Sequence, residues 1–387
     1  MDRGLDRMLS QLVEEIERVE VTRKQFGDVL RKIKPKINLG RFTAIANDVS
    51  ETSLTTTITS TRLDGLRIAG VDGGLVRRRF RSLDLILTRS VAAVFEYGPA
   101  EGPNVDFFPG PFPEPTISPV LQTLSGPELD QLSSLERLAS ELRSALSIID
   151  EYYIDIILID GSLFYHPRDR PPSGSVAYEK FQEVLALYRR LYNKVRSKST
   201  TLVGIVKDSR SSRVSSILGD ILPHIIREPS VFEMMQGVDY RWLIKNSRDC
   251  DILDTFLDEG ERSFAFRYST EFLTNRNSFD DDMSQWAASI WVTYIKTARD
   301  DLPLRVEILS DNDRALDSNR LNRALSAILP LSCQHPEYGI PAPILEADAR
   351  ARITMNETQL VIDRLIALSG LTYTALEKRR SRNPFGG

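Results

Sequence analysis

Leu5, Leu9, Leu12, Ile16 and Val19 step by four, three, four and three, skip at Arg23, and resume at Phe26, Leu30 and Ile33. Glu, Arg and Asp fill the other positions, so the spacing predicts one long amphipathic helix close to a heptad seam. Such a seam suits docking on the chain's own domain and self-association equally, and Pro35 ends it. Residues 39–62 are rich in Ser and Thr without periodicity and read as a connector.

Three strands are then expected, at 67–72, 76–82 and 84–97. The first is an apolar run (Ile68, Ala69, Val71) closing on Asp72, and Gly73-Gly74 suits a hairpin turn or the close approach of another backbone. Eight prolines crowd residues 99–127, which argues for a long irregular excursion. Over 128–150, Leu132, Leu135, Leu138, Ala139, Leu142, Leu146 and Ile149 share one face at the helical period. A second apolar run, Ile156 to Ile159, leads into Asp160-Gly161-Ser162. A loop (166–174), a helix (176–197) and a strand (201–206) ending in Lys207-Asp208 follow.

Beyond residue 211 the pattern weakens. A helix is expected at 211–226, an irregular insertion at 229–285, strands at 287–296 and 302–309, and a helix at 314–328. A Pro-rich turn (Pro336, Pro341, Pro343) then leads to two final helices and a basic tail, LEKRRSRNPFGG. The order β-β-β-α-β-α-β, with crossover helices after a meander, makes the first and fourth strands parallel neighbours. That is the ribonuclease H-like arrangement, an α/β mixed sheet flanked by helices, here with an N-terminal helix and C-terminal helical additions. Its strand ends would bring Asp72 and Asp160 together at the edge where ligands bind.

The chain has 387 residues, more than one hydrophobic core usually serves. The expected division is 1–62 (helix and connector), 63–355 (catalytic domain with the 98–127 and 229–285 excursions) and 356–387 (helix and tail). Cys250 and Cys333 form no CxxC pair, which argues against a disulfide scaffold or zinc ribbon and suits a reducing compartment. Three histidines cannot build a His-rich centre, so a metal here would be held by carboxylates. The amino terminus has no signal-like apolar core and no run approaches the length of a membrane span, so the expectation is a cytoplasmic protein without a membrane partner. Net charge is −4. Nucleic acid would therefore be met by local arginine clusters.

Two carboxylates about 4 Å apart repel by about 4 kcal/mol at an effective dielectric of 20, and a cation between them removes that cost. Carboxylates that bridge two ions about 3.5–4 Å apart can activate a water and stabilise the leaving oxygen of a phosphodiester. Asp72 and Asp160 are the candidate pair, with Glu141 or Glu136 as a third acid from the helix. A lone Asp-Gly would be a turn signal and nothing more; two of them closing strands in these slots point to a site. Arg77, Arg78, Arg79 and Arg81 beside Asp72, and Arg210 and Arg213 after the fifth strand, are candidate phosphate contacts, though such residues also protect sheet edges. Lys207 at a strand end could hold a phosphate or orient the water. Ser162 reads as a turn or cap hydroxyl because no histidine is placed to activate it.

GVDGG at 70–74, IDGSL at 159–163, VGIVKDSRS at 203–211 and GIPAPILEADARARIT at 339–354, with the Glu141 helix between the first two, resemble the NurA nuclease family in the family's order. The resemblance implies a ribonuclease H-like, Mn²⁺-dependent (or Mg²⁺-dependent) nuclease with two ions, 5′→3′ exonuclease and single-strand endonuclease activity. It also implies a homodimer docking on the hexameric ATPase HerA for DNA end resection. By position Asp72 and Asp160 match the family's aspartates, and Glu141 is chosen for its glutamate with Glu136 in reserve. The family's Tyr and His in the last motif are here Ile340 and Asp348, and Asp348 could serve as a metal ligand or mark altered activity. Two other readings remain: a DNA-binding clamp or adaptor of the same fold that lost its chemistry, and an actin-like phosphotransferase. The latter lacks a late adenosine-binding glycine pair and a repeat of the whole unit.

Overall fold

The computed structural model describes residues 3–43, 48–99, 102–166, 169–268, 286–311 and 315–370. The chain opens with α1 (Arg3–Ile33), closed by a 3₁₀ turn at Lys34–Lys36 that contains Pro35. Its halves differ in surroundings. Phe26, Val29, Leu30 and Ile33 are buried in a cluster with Leu218, Phe256 and Phe264, whereas Leu5, Leu9, Leu12 and Ile16 are each at least 50% exposed. The seam therefore docks through its second half. β1 (Thr55–Thr57) lies within the expected connector.

The strands around Asp72 differ from expectation. β2 (Arg67–Arg79) runs unbroken through Gly73 and Gly74. It pairs antiparallel with β3 (Asp84–Glu96) along its whole length, from Arg67↔Glu96 to Arg79↔Asp84. There is no Gly-Gly hairpin; the chain turns at residues 80–83. Asp72 accordingly sits in the middle of a strand. The Pro-rich excursion is also more regular than its composition suggests, since β4 (Asn104–Phe108) and β5 (Thr116–Val120) both pair with β3, at its two ends. Pro119 lies within β5, opposite Leu85. An outer strand tolerates proline because the missing N–H can face away from the ladder.

α2 (Gly126–Glu151) begins with a capping box between Ser125 and Glu128, which satisfies two amides at the helix start. β6 (Ile156–Asp160), α3 (Val176–Ser197) and β7 (Thr201–Val206) follow as expected. The expected irregular insertion holds α5 (Pro229–Met235), α6 (Tyr240–Asn246), α7 (Asp249–Leu253), β8 (Glu261–Ser263) and β9 (Phe266–Arg267), after α4 (Arg213–Ile225). Elements this short complete too few periods to leave a pattern. β10 (Ile290–Ile295), β11 (Leu304–Leu309), α8 (Ser318–Ser332), α9 (Ala342–Ala351) and α10 (Met355–Ser369) complete the described chain. The basic tail lies outside the described residues.

The chain divides into two compact units. One contains residues 63–160, 164–203 and those from 342 on. Its strands follow the order β6-β2-β3-β4, with β2 parallel to β6 and antiparallel to β3. The other contains residues up to 62, 161–163 and 204–341, with strand order β1-β8-β10-β11 and β9 also on β10. In that second unit Arg262, 1% exposed, is held by two bonds to Glu51 at 2.7 and 2.6 Å. Such pairing is what allows a guanidinium to stay charged away from water. Among the described residues no helix is long and apolar enough to cross a membrane.

Candidate active site

β2 and β6 pair in parallel from Ile68↔Ile156 to Val71↔Ile159. The next position on that register is Asp72 beside Asp160. Adjacent strands lie about 4.8 Å apart, and matched positions of a parallel pair project to one face, so the two aspartates are neighbours. Ile156 to Ile159 are all buried. Asp72 is 4% exposed, and its Oδ1 accepts the Gly73 N–H at 2.6 Å.

The three glycines around Asp72 make room for helices. A Cβ on Gly70 would lie 2.3 Å from the carbonyl of Pro343, and one on Gly74 would lie 2.0 Å from the Ala351 carbonyl oxygen. α9 thus rests directly on β2 at both ends, on the face that Asp72 shares with Gly70 and Gly74 by strand alternation. A Cβ on Gly73 would meet Glu141 Oε1 at 2.5 Å, on the α2 side. Of the two readings of Gly73-Gly74, close backbone approach is the one the structure takes.

Glu141 is 1% exposed. Arg137 Nη1 stands 3.0 Å from its Oε1 in an ion pair, yet that oxygen accepts no hydrogen bond. Burial pushes the Glu141 carboxyl up to about 7, with Arg137 pulling it down and the Asp160 charge pushing it up. That mutual influence places Glu141 within electrostatic reach of Asp160. Glu136, the reserve candidate, is turned elsewhere: it pairs with Lys180 at 3.0 Å. Arg137 is the residue that sequence reasoning missed. Its i, i+4 spacing to Glu141 was the available signal.

Asp348 falls on the stretch of α9 between its contacts with Gly70 and Gly74, and it pairs with Arg352 at 3.3 Å. Ile340 is buried. Arg77 pairs with Asp130, Arg79 reaches the Ser125 carbonyl at 3.4 Å, and Arg78 lies 3.5 Å from Met355 Sδ. These three alternate across the two faces of β2, so they form no single stripe. In the second unit, Lys207 follows β7, Arg210 is exposed, and Arg213 is committed to Asp48, Nε to Oδ2 at 2.7 Å. Ser162 Oγ and the Leu163 amide both donate to Glu307 Oε2, at 2.8 and 2.9 Å. The serine is thus a loop anchor, in keeping with its reading as a turn hydroxyl.

Asp72, Asp160 and Glu141 offer only oxygen donors, the kind Mg²⁺ and Mn²⁺ take. Glu141 Oε1 is, in addition, a buried acceptor without a hydrogen. On those two observations the residues suit a divalent ion. Among the described residues, however, no three His, Cys, Asp or Glu side chains stand close enough to enclose one, and the cation beside Glu141 is Arg137.

A mixed sheet with a parallel β2–β6 pair and flanking helices defines a ribonuclease H-like α/β protein. The NurA domain model matches residues 66–353, well over half the chain. The chain belongs to the NurA family. It is similar in structure to the NurA nuclease from Sulfolobus solfataricus, with a TM-score of 0.54, 14% identity, and coverage of 96% of this chain and 99% of that one. It is also similar to a NurA structure described as bound to dAMP and manganese, with a TM-score of 0.50, 11% identity, and coverage of 94% and 96%. A search of curated proteins finds no match.

Proposed function

We propose that the chain is a metal-dependent DNA nuclease that hydrolyses phosphodiesters with Mn²⁺, or Mg²⁺, probing single- and double-stranded DNA ends. The observation that carries this reading is the register that sets Asp72 beside Asp160, with Glu141 reaching the same stretch of sheet. Asp72 and Asp160 would hold the ion or ions as the central pair; Glu141, from the α2 side, and Asp348, freed from Arg352 on the α9 side, would have to move in to complete the carboxylate set. When bound, the metal supplies charge that lowers the pKa of a water and stabilises the phosphate's developing negative charge. Asp72 and Asp160 fix the position of that charge because strands reorganise little. Arg77, once released from Asp130, and Arg79 share one face of β2 and are assigned to phosphates of the DNA backbone, a contact without sequence preference; Arg78 lies on the other face. In the second unit Arg210 is exposed and assigned to a phosphate as well, and Arg213 would have to leave Asp48 to make such a contact. Lys207, also in the second unit, is assigned to a phosphate contact there.

Membership of the family extends the proposal to 5′→3′ exonuclease and single-strand endonuclease action. It extends it also to a cytoplasmic homodimer working with a HerA-type hexameric ATPase in end resection. Incubation of 5′- and 3′-labelled single- and double-stranded DNA with Mn²⁺ tests this: short labelled products released first from the 5′ end are expected. Absence of any metal-stimulated product, with and without the ATPase, would end the proposal. One observation favours a second reading, a DNA-binding clamp of the same fold: Asp348 and Glu141 are both engaged by arginines. DNA binding without cleavage in Mg²⁺, Mn²⁺ and Co²⁺ would select it.

A further inference from the structure

We propose that Arg137 is a positioning residue of this site: a tethered cation that holds the Glu141 carboxylate in place and that an incoming divalent ion displaces. The proposal rests on the metal-dependent reading above. Arg137 and Glu141 stand four residues apart on α2, so their side chains meet on one face of the helix. Nη1 lies 3.0 Å from Glu141 Oε1 and 3.5 Å from the Gly73 carbonyl oxygen. The Arg137 Cγ lies 3.0 Å from where a Cβ on Gly73 would be. The same missing side chain that admits Glu141 therefore admits the arginine stem, one residue along β2 from Asp72.

The two partners differ in freedom. The Glu141 side chain is 2% exposed and has no path to solvent, whereas that of Arg137 is 38% exposed and can swing outward. A divalent ion on Glu141 Oε1 would stand within a few ångströms of the guanidinium, where like charges repel strongly at partly buried sites. Ion and arginine are thus alternatives on one oxygen. A mere helix-stabilising pair would not be set against the carbonyl of the residue after the buried aspartate. It would more often use the exposed face, where such pairs usually lie.

The test is Mn²⁺ affinity of the full-length protein, read from the electron paramagnetic resonance signal of free Mn²⁺ during titration at pH 8. Arg137→Gln and Arg137→Ala are expected to bind about tenfold more tightly than wild type, a difference of about 1.4 kcal/mol. Arg137→Lys, which keeps the charge, should stay near the wild-type affinity. Denaturant midpoints establish that each variant is folded, and either neutral variant suffices if the other is not. Folded neutral variants that bind Mn²⁺ no more tightly than wild type would overturn this proposal and leave the nuclease reading standing. A wild-type protein that binds no Mn²⁺ would overturn both.

Discussion

The Glu141 carboxylate occupies the space that a side chain at Gly73 would fill, its Oε1 2.5 Å from the position of a Cβ there. Gly73→Ala therefore presses on side chains alone, Glu141 and the Arg137 stem, whereas Gly74→Ala drives a methyl to 2.0 Å from the backbone oxygen of Ala351. Displacing a group in a site by about 1 Å can cost about a hundredfold in rate, and overpacking against backbone costs about 1–3 kcal/mol. Gly73→Ala should lower Mn²⁺-stimulated cleavage about a hundredfold with a small change in urea midpoint. Gly74→Ala should lower the midpoint markedly. Equal midpoints for the two would contradict the packing described.

Burial raises the Glu141 carboxyl to about 7, and the sign of its effect on stability follows. The folded protein binds this proton more tightly than the unfolded chain, whose Glu ionises near 4.3. The penalty is therefore absent below about pH 4, grows as pH rises, and is complete above about pH 7. Without added metal, Glu141→Gln should be more stable than wild type at pH 8 by about 3–4 kcal/mol. The gap should close by about pH 4. Thermal unfolding at both pH values measures it, and a variant less stable at pH 8 would be inconsistent with a buried acid that Arg137 offsets only in part.

Glu136 and Glu141 were not separable by helix period alone, because both flank the apolar face of α2. The structure separates them through Lys180, which takes Glu136 at 3.0 Å. Glu136→Gln should leave cleavage within about twofold of wild type, since it removes a partly exposed pair worth at most about 1 kcal/mol. Glu141→Gln should remove cleavage. If the two variants exchanged these phenotypes, the assignment of the third acid would be reversed.

Arg89 is 3% exposed in its side chain and reaches Glu357 on α10 together with the Arg352 carbonyl. Arg89's hydrogen bond holds the Glu357 carboxyl down at about 2. A depressed carboxylate stabilises the fold above its unfolded pKa near 4.3, and that contribution is lost as pH falls toward 2. Glu357→Ala should cost about 1–2 kcal/mol at pH 7, because the buried Arg89 loses a partner that is itself partly screened by solvent. The cost should shrink in acid, as denaturant titrations at pH 7 and pH 3 would show. A neutral effect at pH 7 would mean the pair carries no stability.

What the sequence disclosed depends on how local each signal was. The apolar run into Asp160, the amphipathic α2 and the α3–β7 pair carry their periods within themselves, so their bounds came close to those seen. Gly73-Gly74 was ambiguous because a turn and a close backbone approach require the same residue. Only α9, about 270 residues away, resolves it. β4 and β5 were hidden since proline content speaks against ladders in general, while an outer strand beside β3 tolerates it. Arg137 left only its helical spacing as a trace, and its contact with Gly73 needs β2 and α2 together. The neighbouring of Asp72 and Asp160, in contrast, followed from strand order alone.

The central claim is that Asp72 and Asp160 act as one ion-holding pair, and DNA cleavage by the two single alanine variants tests it most directly. Wild type, Asp72→Ala and Asp160→Ala would be compared on labelled DNA with Mn²⁺, each first shown to be folded. Loss of cleavage in both variants is the predicted result. Undiminished cleavage in both would contradict the account.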